Sequence, residues 1–324
     1  MKKAVITGVF GQDGSFLCEL LQEKGYEVYG IVKEKLSSNS QRIKDELMKK
    51  GKMPIVYEVN LQEYKQVEEI IERLQPQEVY HLSASHVSSD GKRNGETIDD
   101  SLMFKQNVTA TVNLLSACSK VSKEIKILTA GSCLMFNATN TNRQNENTPF
   151  ESSCLYGIGK ITENRLVKYY REKGSFACTA ILYNHESYRR SEDFVTKKIV
   201  KNMCMLKKDY THKFSLGDID IRKDWGYAKD YVKGMYLMLQ GDKPQDYILS
   251  SGELHSIKEF IEICADILQI ENWNKSIEIC KNNAYHKGKE QLYGDANKIE
   301  NDLGWKPEKF FREWIFEMIM KELE

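Results

Sequence analysis

The sequence has no excess of either charge: Lys and Arg together number 47, and so do Asp and Glu. Without a basic surplus nucleic acid is not an expected partner, and without an acidic tail neither is a disordered or chaperone-like role. No CxxC pair is present. The eight cysteines, Cys18, Cys118, Cys133, Cys154, Cys178, Cys204, Cys264 and Cys280, stand apart and no histidine cluster joins them, so no metal site is expected. Isolated thiols of this kind fit a reducing cytosol. No apolar run approaches the ~18 residues of a membrane span, and the N-terminus enters a strand at once rather than an apolar signal segment. Internal repeats, linkers and low-complexity tracts are missing as well. These absences point to a soluble, cytoplasmic chain that partners neither nucleic acid nor a membrane.

What is present is material for a sizeable core. Of 324 residues, 41% are hydrophobic and 29% charged, which suits one large α/β domain or two closely joined ones. Lys3-Ala4-Val5-Ile6-Thr7 is a β-branched run, followed by Gly8-Val9-Phe10-Gly11-Gln12-Asp13-Gly14. Ser15 to Lys24 has helical periodicity and stops at Gly25, and Glu27 to Val32 is a second strand. This is a βαβ unit of about thirty residues with GxxGxxG at its first turn, the setting a dinucleotide fingerprint requires. Glycines there let the backbone approach a pyrophosphate seated on the helix N-terminus.

The alternation continues through a strand at Pro54–Asn60, an amphipathic helix at Tyr64–Leu74 and a strand at Glu78–Leu82. A long helix at Thr97–Ser119 and a strand at Ile125–Thr129 follow. Such a pattern predicts a Rossmann-type, doubly wound parallel sheet with right-handed crossovers. Its ligands bind at the carboxyl ends of the strands, where Gly8, Ser83 and Ser132 fall. Beyond the second strand Lys33-Glu34-Lys35, Ser37, Ser38 and Arg42 mix a ribose-binding carboxylate with cations suited to a 2′-phosphate. The signs conflict, and NADP is preferred over NAD.

Between Leu128 and Lys160 the chain places Ser132 at a strand end and, 24 positions later, Tyr156 followed by Lys160 at i+4. Tyrosine and lysine so spaced share one helix face. An ammonium beside a phenol favours the phenolate, so Tyr156 is expected to titrate below the usual value of about 10 and to accept a proton from an alcohol.

The residues so far named, with several further on, resemble the extended short-chain dehydrogenase/reductases and, within them, the GDP-mannose 4,6-dehydratases. The matching stretches include Ile6-Thr7-Gly8 with Gly11–Ser15, Glu23–Val28, and Leu182-Tyr183-Asn184-His185-Glu186-Ser187. They continue at Phe194–Ile199, Phe214-Ser215-Leu216-Gly217 and Lys223-Asp224-Trp225-Gly226-Tyr227-Ala228-Lys229-Asp230. The resemblance implies that a nicotinamide takes hydride from C4 of a nucleotide-linked sugar, with GDP-sugars as the expected class, Tyr156 as base and Lys160 holding it. A carboxylate would then remove the C5 proton, the C6 hydroxyl would leave as water, and hydride would return to C6. Ser132 stands where the family has threonine, keeping the hydroxyl.

Contacts carried over with the resemblance fall into two sets. The cofactor is expected at Gly8, Gly11, Gln12, Asp13 and Gly14, at Lys33 and Arg42, at Asn60 and Leu61, at Leu82, Ser83 and Ala84, and at Tyr156, Lys160 and His185. The substrate is expected at His86, Asn184, Val195, Thr196 and Lys198, at Leu216 and Gly217, and at Arg222 and Lys223, which would share the diphosphate. Lys287 stands in for an arginine that the family carries near Tyr285–Glu290. Residues 1–183 form the expected cofactor domain and 184–324 a smaller nucleotide-sugar-binding region interleaved with it. By analogy the chain pairs through the helices at 97–120 and 155–172, as a homodimer or homotetramer.

One departure matters most. The family writes Thr-Ser-Glu at the strand end, and this chain writes Ser132-Cys133-Leu134 with unchanged spacing to Tyr156. Leucine cannot accept a proton, and losing a general base costs a factor of roughly 10²–10⁴. Glu151, His86, Cys133 and Glu186 are the candidate replacements. Three functions follow: C4 oxidation completed by dehydration, C4 oxidation or epimerisation alone, and nucleotide-sugar binding without catalysis.

Overall fold

The computed structural model describes residues 1–85, 92–93, 96–97, 99–137, 143–280 and 291–324. Strands β1 (Lys3–Thr7), β2 (Glu27–Val32), β3 (Ile55–Glu58) and β4 (Glu78–His81) alternate with helices α1 (Gln12–Glu23), α2 (Ser38–Lys49) and α3 (Tyr64–Leu74). A two-residue pair, β5 (Lys92–Arg93) and β6 (Glu96–Thr97), precedes α4 (Asp100–Val121). Then come β7 (Lys126–Ala130), a single 3-10 turn (Cys133–Met135), α5 (Leu155–Glu172), β8 (Ala177–Leu182), β9 (Asn184–Glu186) and α6 (Val195–Lys208). The rest comprises β10 (Phe214–Leu216), β11 (Arg222–Tyr227), α7 (Ala228–Gln240), β12 (Tyr247–Leu249) and β13 (Leu254–Ser256). It ends with α8 (Ile257–Leu268), β14 (Ile277–Ile279), α9 (Asn297–Leu303) and α10 (Phe311–Leu323).

Seven strands make one sheet in the order β12-β8-β7-β4-β1-β2-β3. Every neighbouring pair is parallel, as the alternation predicts. Both faces of β1 are covered, because side chains alternate along a strand. Ala4 and Ile6 join Phe16, Leu17 and Leu21 of α1 in one buried cluster, whereas Val5 joins Ile71 of α3 and Leu114 and Leu115 of α4 in another. Strand order reverses between β1 and β4, so their carboxyl ends open a crevice there. The seventh strand, β12, comes from far along the chain and pairs with β8.

A second region holds the mixed sheet β13-β11-β9 and the pair β10-β14. Trp225, Phe260, Phe311 and Trp314 stack edge-on and face-on beneath it.

Helix starts moved from expectation for local reasons. Helix α1 begins at Gln12 rather than Ser15, since Gly11 serves as its N-cap and Gly14 fits inside its first turn. Helix α4 begins at Asp100 rather than Thr97, because the Asp99 carboxylate accepts from the amides of Ser101 and Leu102. Ser256 caps α8, accepting from the Glu259 amide.

Candidate active site

The first element of the site is the turn from β1 into α1. Gly8 has φ +72°, and its carbonyl accepts from the Gly11 amide at 2.8 Å. A Cβ on Gly14 would lie 2.3 Å from the Gly8 oxygen, and one on Gly8 would lie 3.0 Å from the Ser83 backbone. Only glycine permits so close a turn, and it leaves bare amides at a helix N-terminus, the preferred seat for a phosphate. The crevice floor is stitched by hydroxyls: Thr7 Oγ1 lies 2.8 Å from His81 Nδ1, and the Ser83 amide and hydroxyl donate to it at 3.2 and 3.0 Å. Leu82 and Ala84 flank Ser83 and are part-exposed.

Gln12 and Asp13 tie this turn to β9. Gln12 Nε2 donates to the His185 carbonyl at 3.1 Å and Gln12 Oε1 accepts from Ser187 Oγ at 2.8 Å. His185 lies flat against the Tyr231 ring, 4.7 Å between centroids. Its Nδ1 meets the Tyr183 carbonyl at 2.7 Å and its Nε2 meets Asp13 Oδ2 at 2.9 Å. Both acceptors lack a proton of their own, so the ring that satisfies both is an imidazolium. Burial works against that charge, but Asp13 outweighs it and holds the His185 pKa above its ordinary value. Burial likewise works to raise Asp13, and His185 with Arg190 brings it below the usual carboxylate range.

The second element is α5. Cys154 caps it, its sulfur accepting from the Gly157 amide at 3.4 Å. Gly157 is pressed onto the 3-10 turn: a Cβ there would sit 2.1 Å from the Leu134 carbonyl oxygen and 2.0 Å from Ser152 Oγ. This close approach brings Tyr156 beside residues 132–134. Ser132 caps that turn, with its Oγ accepting from the Leu134 amide at 3.2 Å.

Tyr156, Lys160 and Glu163 occupy positions i, i+4 and i+7 of α5, one helix face. Lys160 Nζ lies 5.7 Å from the centre of the Tyr156 ring and only 3.0 Å from Glu163 Oε2. The expected depression of the Tyr156 pKa is reversed. Burial of the phenol raises it, Lys160 lowers it, Glu163 and Cys133 raise it again, and the net direction is upward. Lys160 is held above its ordinary value: burial disfavours the ammonium, but the Glu163 carboxylate more than compensates.

The third element is apolar. Leu134 packs with Phe150 and Leu292 against a buried cluster of Cys133, Phe136, Ile181, Tyr183 and Ile248. Burial pushes the Cys133 thiol up to about 11 despite Lys223 nearby.

Comparison with known proteins bears on this arrangement. The family profile described as GDP-mannose 4,6 dehydratase matches residues 5–318. The chain belongs to the GDP-mannose 4,6 dehydratase family. GDP-mannose 4,6 dehydratase 1 of Arabidopsis thaliana is 36% identical over 334 residues, covering 100% of this chain and 90% of the relative. The GDP-mannose 4,6 dehydratase of Homo sapiens is 35% identical over 348 residues, covering 99% and 91%. The chain is thus an enzyme of the short-chain dehydrogenase/reductase type. Among solved structures, a dTDP-glucose 4,6-dehydratase from Streptomyces venezuelae superposes with a TM-score of 0.84 at 17% identity, covering 98% of this chain and 96% of that one. A UDP-glucose 4-epimerase from Thermus thermophilus does so with a TM-score of 0.80 at 19% identity, covering 99% of each. These two share the fold.

The remaining expected contacts are spread more widely. Arg42 is exposed and donates to Asn39 Oδ1 at 2.7 Å, Asn60 accepts from the Gln62 amide, and the Leu61 carbonyl accepts from Asn113. Lys33 follows the last residue of β2, at the carboxyl end of the strand whose Ile31 pairs with Thr7. On the substrate side, Asn184 Nδ2 donates to the Asp224 carbonyl at 3.3 Å. Thr196 is buried and donates to Glu186 Oε2 at 2.6 Å, whereas Lys198 is exposed on the first turn of α6 beyond Val195. Leu216 is buried, and Gly217 follows it at the end of β10. His86 and Lys287 lie outside the described residues.

Arg222 and Lys223 do not converge. They are neighbours on β11 and therefore on opposite faces. Arg222 Nη2 donates to the Leu254 carbonyl at 2.7 Å, whereas the Lys223 charge is felt by Cys133. Two residues absent from the expected set stand at the site. Glu163 was findable from its i+7 spacing to Tyr156. Arg190, whose guanidinium lies 3.5 Å from the Phe194 ring centre and whose charge reaches both Asp13 and Tyr156, carried no such local signal.

Proposed function

We propose that the protein acts at C4 of a nucleotide-linked sugar, GDP-sugars being the first class to try, and that it exchanges hydrogen there without expelling water. The observation that carries this reading is the contrast beside Tyr156. A proton-exchanging phenol with its lysine stands on one side, and an apolar wall containing Leu134 stands where the family resemblance puts a base. Of the candidate replacements, Glu151 is exposed, Glu186 is bound to Thr196 and lies 3.2 Å from Arg190, the Cys133 thiol holds its proton, and His86 lies outside the described residues.

A nicotinamide dinucleotide, when bound, would supply the hydride acceptor or donor. The residues present fit such a group, because the Gly8–Gly14 turn is too tight for any Cβ and opens directly onto the N-terminus of α1. In this reading Gly8, Gly11 and Gly14 take the pyrophosphate, with Gln12 and Asp13 fixing the turn. Lys33 and Arg42 flank the adenosine ribose, and NADP is proposed ahead of NAD on their charge. Ser132 orients the sugar hydroxyl, Tyr156 exchanges its proton and Lys160 holds ribose and phenol together. Lys223 and Asn184 face the sugar diphosphate. The first 183 residues, completed by β12, serve the cofactor and the later region serves the substrate. Pairing through α4 and α5, where Leu102, Ile158 and Tyr169 are exposed apolar residues, makes a homodimer or homotetramer.

A second reading, full 4,6-dehydration, is favoured by the identity of 36% with a relative named for that reaction. Incubation of purified protein with GDP-, UDP- and CDP-sugars, followed by mass spectrometry, separates the two. Unchanged mass with altered stereochemistry, or loss of two hydrogens, is the expected result. Loss of one water would overturn it in favour of dehydration.

A further inference from the structure

Buried charges are tolerated when paired, yet a buried pair can commonly be exchanged for apolar residues with little loss of stability. Lys160 and Glu163 form such a pair, with side chains only 4% and 3% exposed and 3.0 Å between them. Glu163 Oε1 is buried as well and meets no hydrogen-bond donor among the described residues. Packing alone would not select a carboxylate with one oxygen left unsatisfied. The pair lies on the helix face that presents Tyr156.

We infer that Glu163 is a positioning residue of the active site, fixing the Lys160 ammonium and taking up charge that would otherwise act on Tyr156. This rests on Tyr156 being the proton-exchanging group proposed above. Coulomb attraction falls with distance, and the ammonium is nearer the carboxylate, at 3.0 Å, than the centre of the phenol ring, at 5.7 Å. The other groups facing the pair do not cancel this. His81 of β4 faces Lys160 but is buried and neutral, its pKa brought down to about 3. Cys133 faces Tyr156 from the 3-10 turn as a protonated thiol. Arg190 faces Tyr156 from beyond β9, but its guanidinium also lies 3.2 Å from Glu186. Tyr156 therefore keeps its proton at neutral pH. It is set to donate that proton to a sugar ketone, and accepts one from a sugar alcohol only as the pH rises.

The test reads Tyr156 itself rather than turnover. Protein carrying ring-labelled [13C]tyrosine is titrated by NMR without substrate, the Tyr156 resonance being the one lost in Tyr156→Phe. Glu163→Gln is expected to lower the Tyr156 midpoint by about one pH unit, the scale of a like charge at this range, and Glu163→Asp to restore it. Should Glu163→Gln fail to fold, Glu163→Met replaces it, since methionine fills the volume without an unpaired amide. An unchanged midpoint in a folded Glu163 variant overturns the inference. Loss of turnover in Tyr156→Phe is a separate measurement, so the two ideas fail independently.

Discussion

The two walls around Tyr156 are built from opposite materials. One is the face of α5, where a phenol, an ammonium and a carboxylate follow at four- and three-residue intervals and the last two are deeply buried. The other is the 3-10 turn after β7, where Cys133, Leu134 and Phe136 merge with a cluster of tyrosine, isoleucine and phenylalanine side chains. The first wall carries ionisable groups. Leu134, on the second, cannot take a proton. Under the function proposed above, such a site moves hydrogen on and off one carbon, and deprotonation of the neighbouring carbon would need a group that Leu134 does not supply.

Removing the phenol should disable the first wall outright. Tyr156→Phe is expected to lower turnover of any accepted nucleotide sugar by roughly 10²–10⁴, the usual contribution of a positioned acid–base group, with the melting temperature little changed. Turnover equal to the parent would remove Tyr156 from the mechanism. Making the second wall resemble the first is the next largest change. Leu134→Glu places a carboxylate among apolar side chains and should cost about 3 kcal/mol in denaturant midpoint experiments. If it also brings loss of water from a substrate that the parent only oxidises or epimerises, the apolar wall was the limiting defect.

How much of this could be read from the sequence differs between the walls and the scaffold. The parallel sheet was legible because βα alternation and a glycine-rich first turn are local signals, and β1 to β4 lie close to where they were expected. The pairing of Tyr156 with Lys160 was legible from helix geometry. Its consequence was not. The sign of the Tyr156 shift depends on burial and on Glu163 as well as on Lys160, and burial is a tertiary property. Glu163 could have been named from its i+7 position. The divergence of Arg222 and Lys223 was also within reach, since neighbours on a strand point to opposite faces. By contrast, the link from Asp13 to His185 spans 172 positions, and no periodicity announces it.

The seam between the walls gives a smaller effect. Gly157→Ala puts a methyl where only about 2 Å separates it from the Leu134 oxygen and Ser152 Oγ, so α5 must lift from the turn. A stability loss of about 1–3 kcal/mol is expected. Turnover should fall more than this implies, because a displacement of about 1 Å at a catalytic group can cost 10²-fold. A variant that loses stability but keeps parental turnover would show that α5 and the turn need not be in register.

The smallest effect lies where the cofactor turn meets β9. His185 has a folded pKa above its ordinary value of about 6.5, so its pairing stabilises fully below that value and is lost as the pH rises through the folded pKa. Asp13 has a folded pKa below its ordinary value of about 3.9, so its contribution is present above that value and is lost as the pH falls through the folded pKa. Both conditions hold together between about pH 4 and pH 6.5. Within that window Asp13→Asn should cost about 1 kcal/mol, in keeping with a hydrogen bond between charged partners in a part-exposed setting. The gap in melting temperature between parent and variant should narrow on the alkaline side, where His185 discharges and an amide serves nearly as well as a carboxylate. A gap that instead stays constant as the pH rises would mean that His185 is neutral in the folded protein. It would then bind Asp13 through a single N–H, and the turn would owe its position to Gln12 and Ser187 rather than to the charged pair.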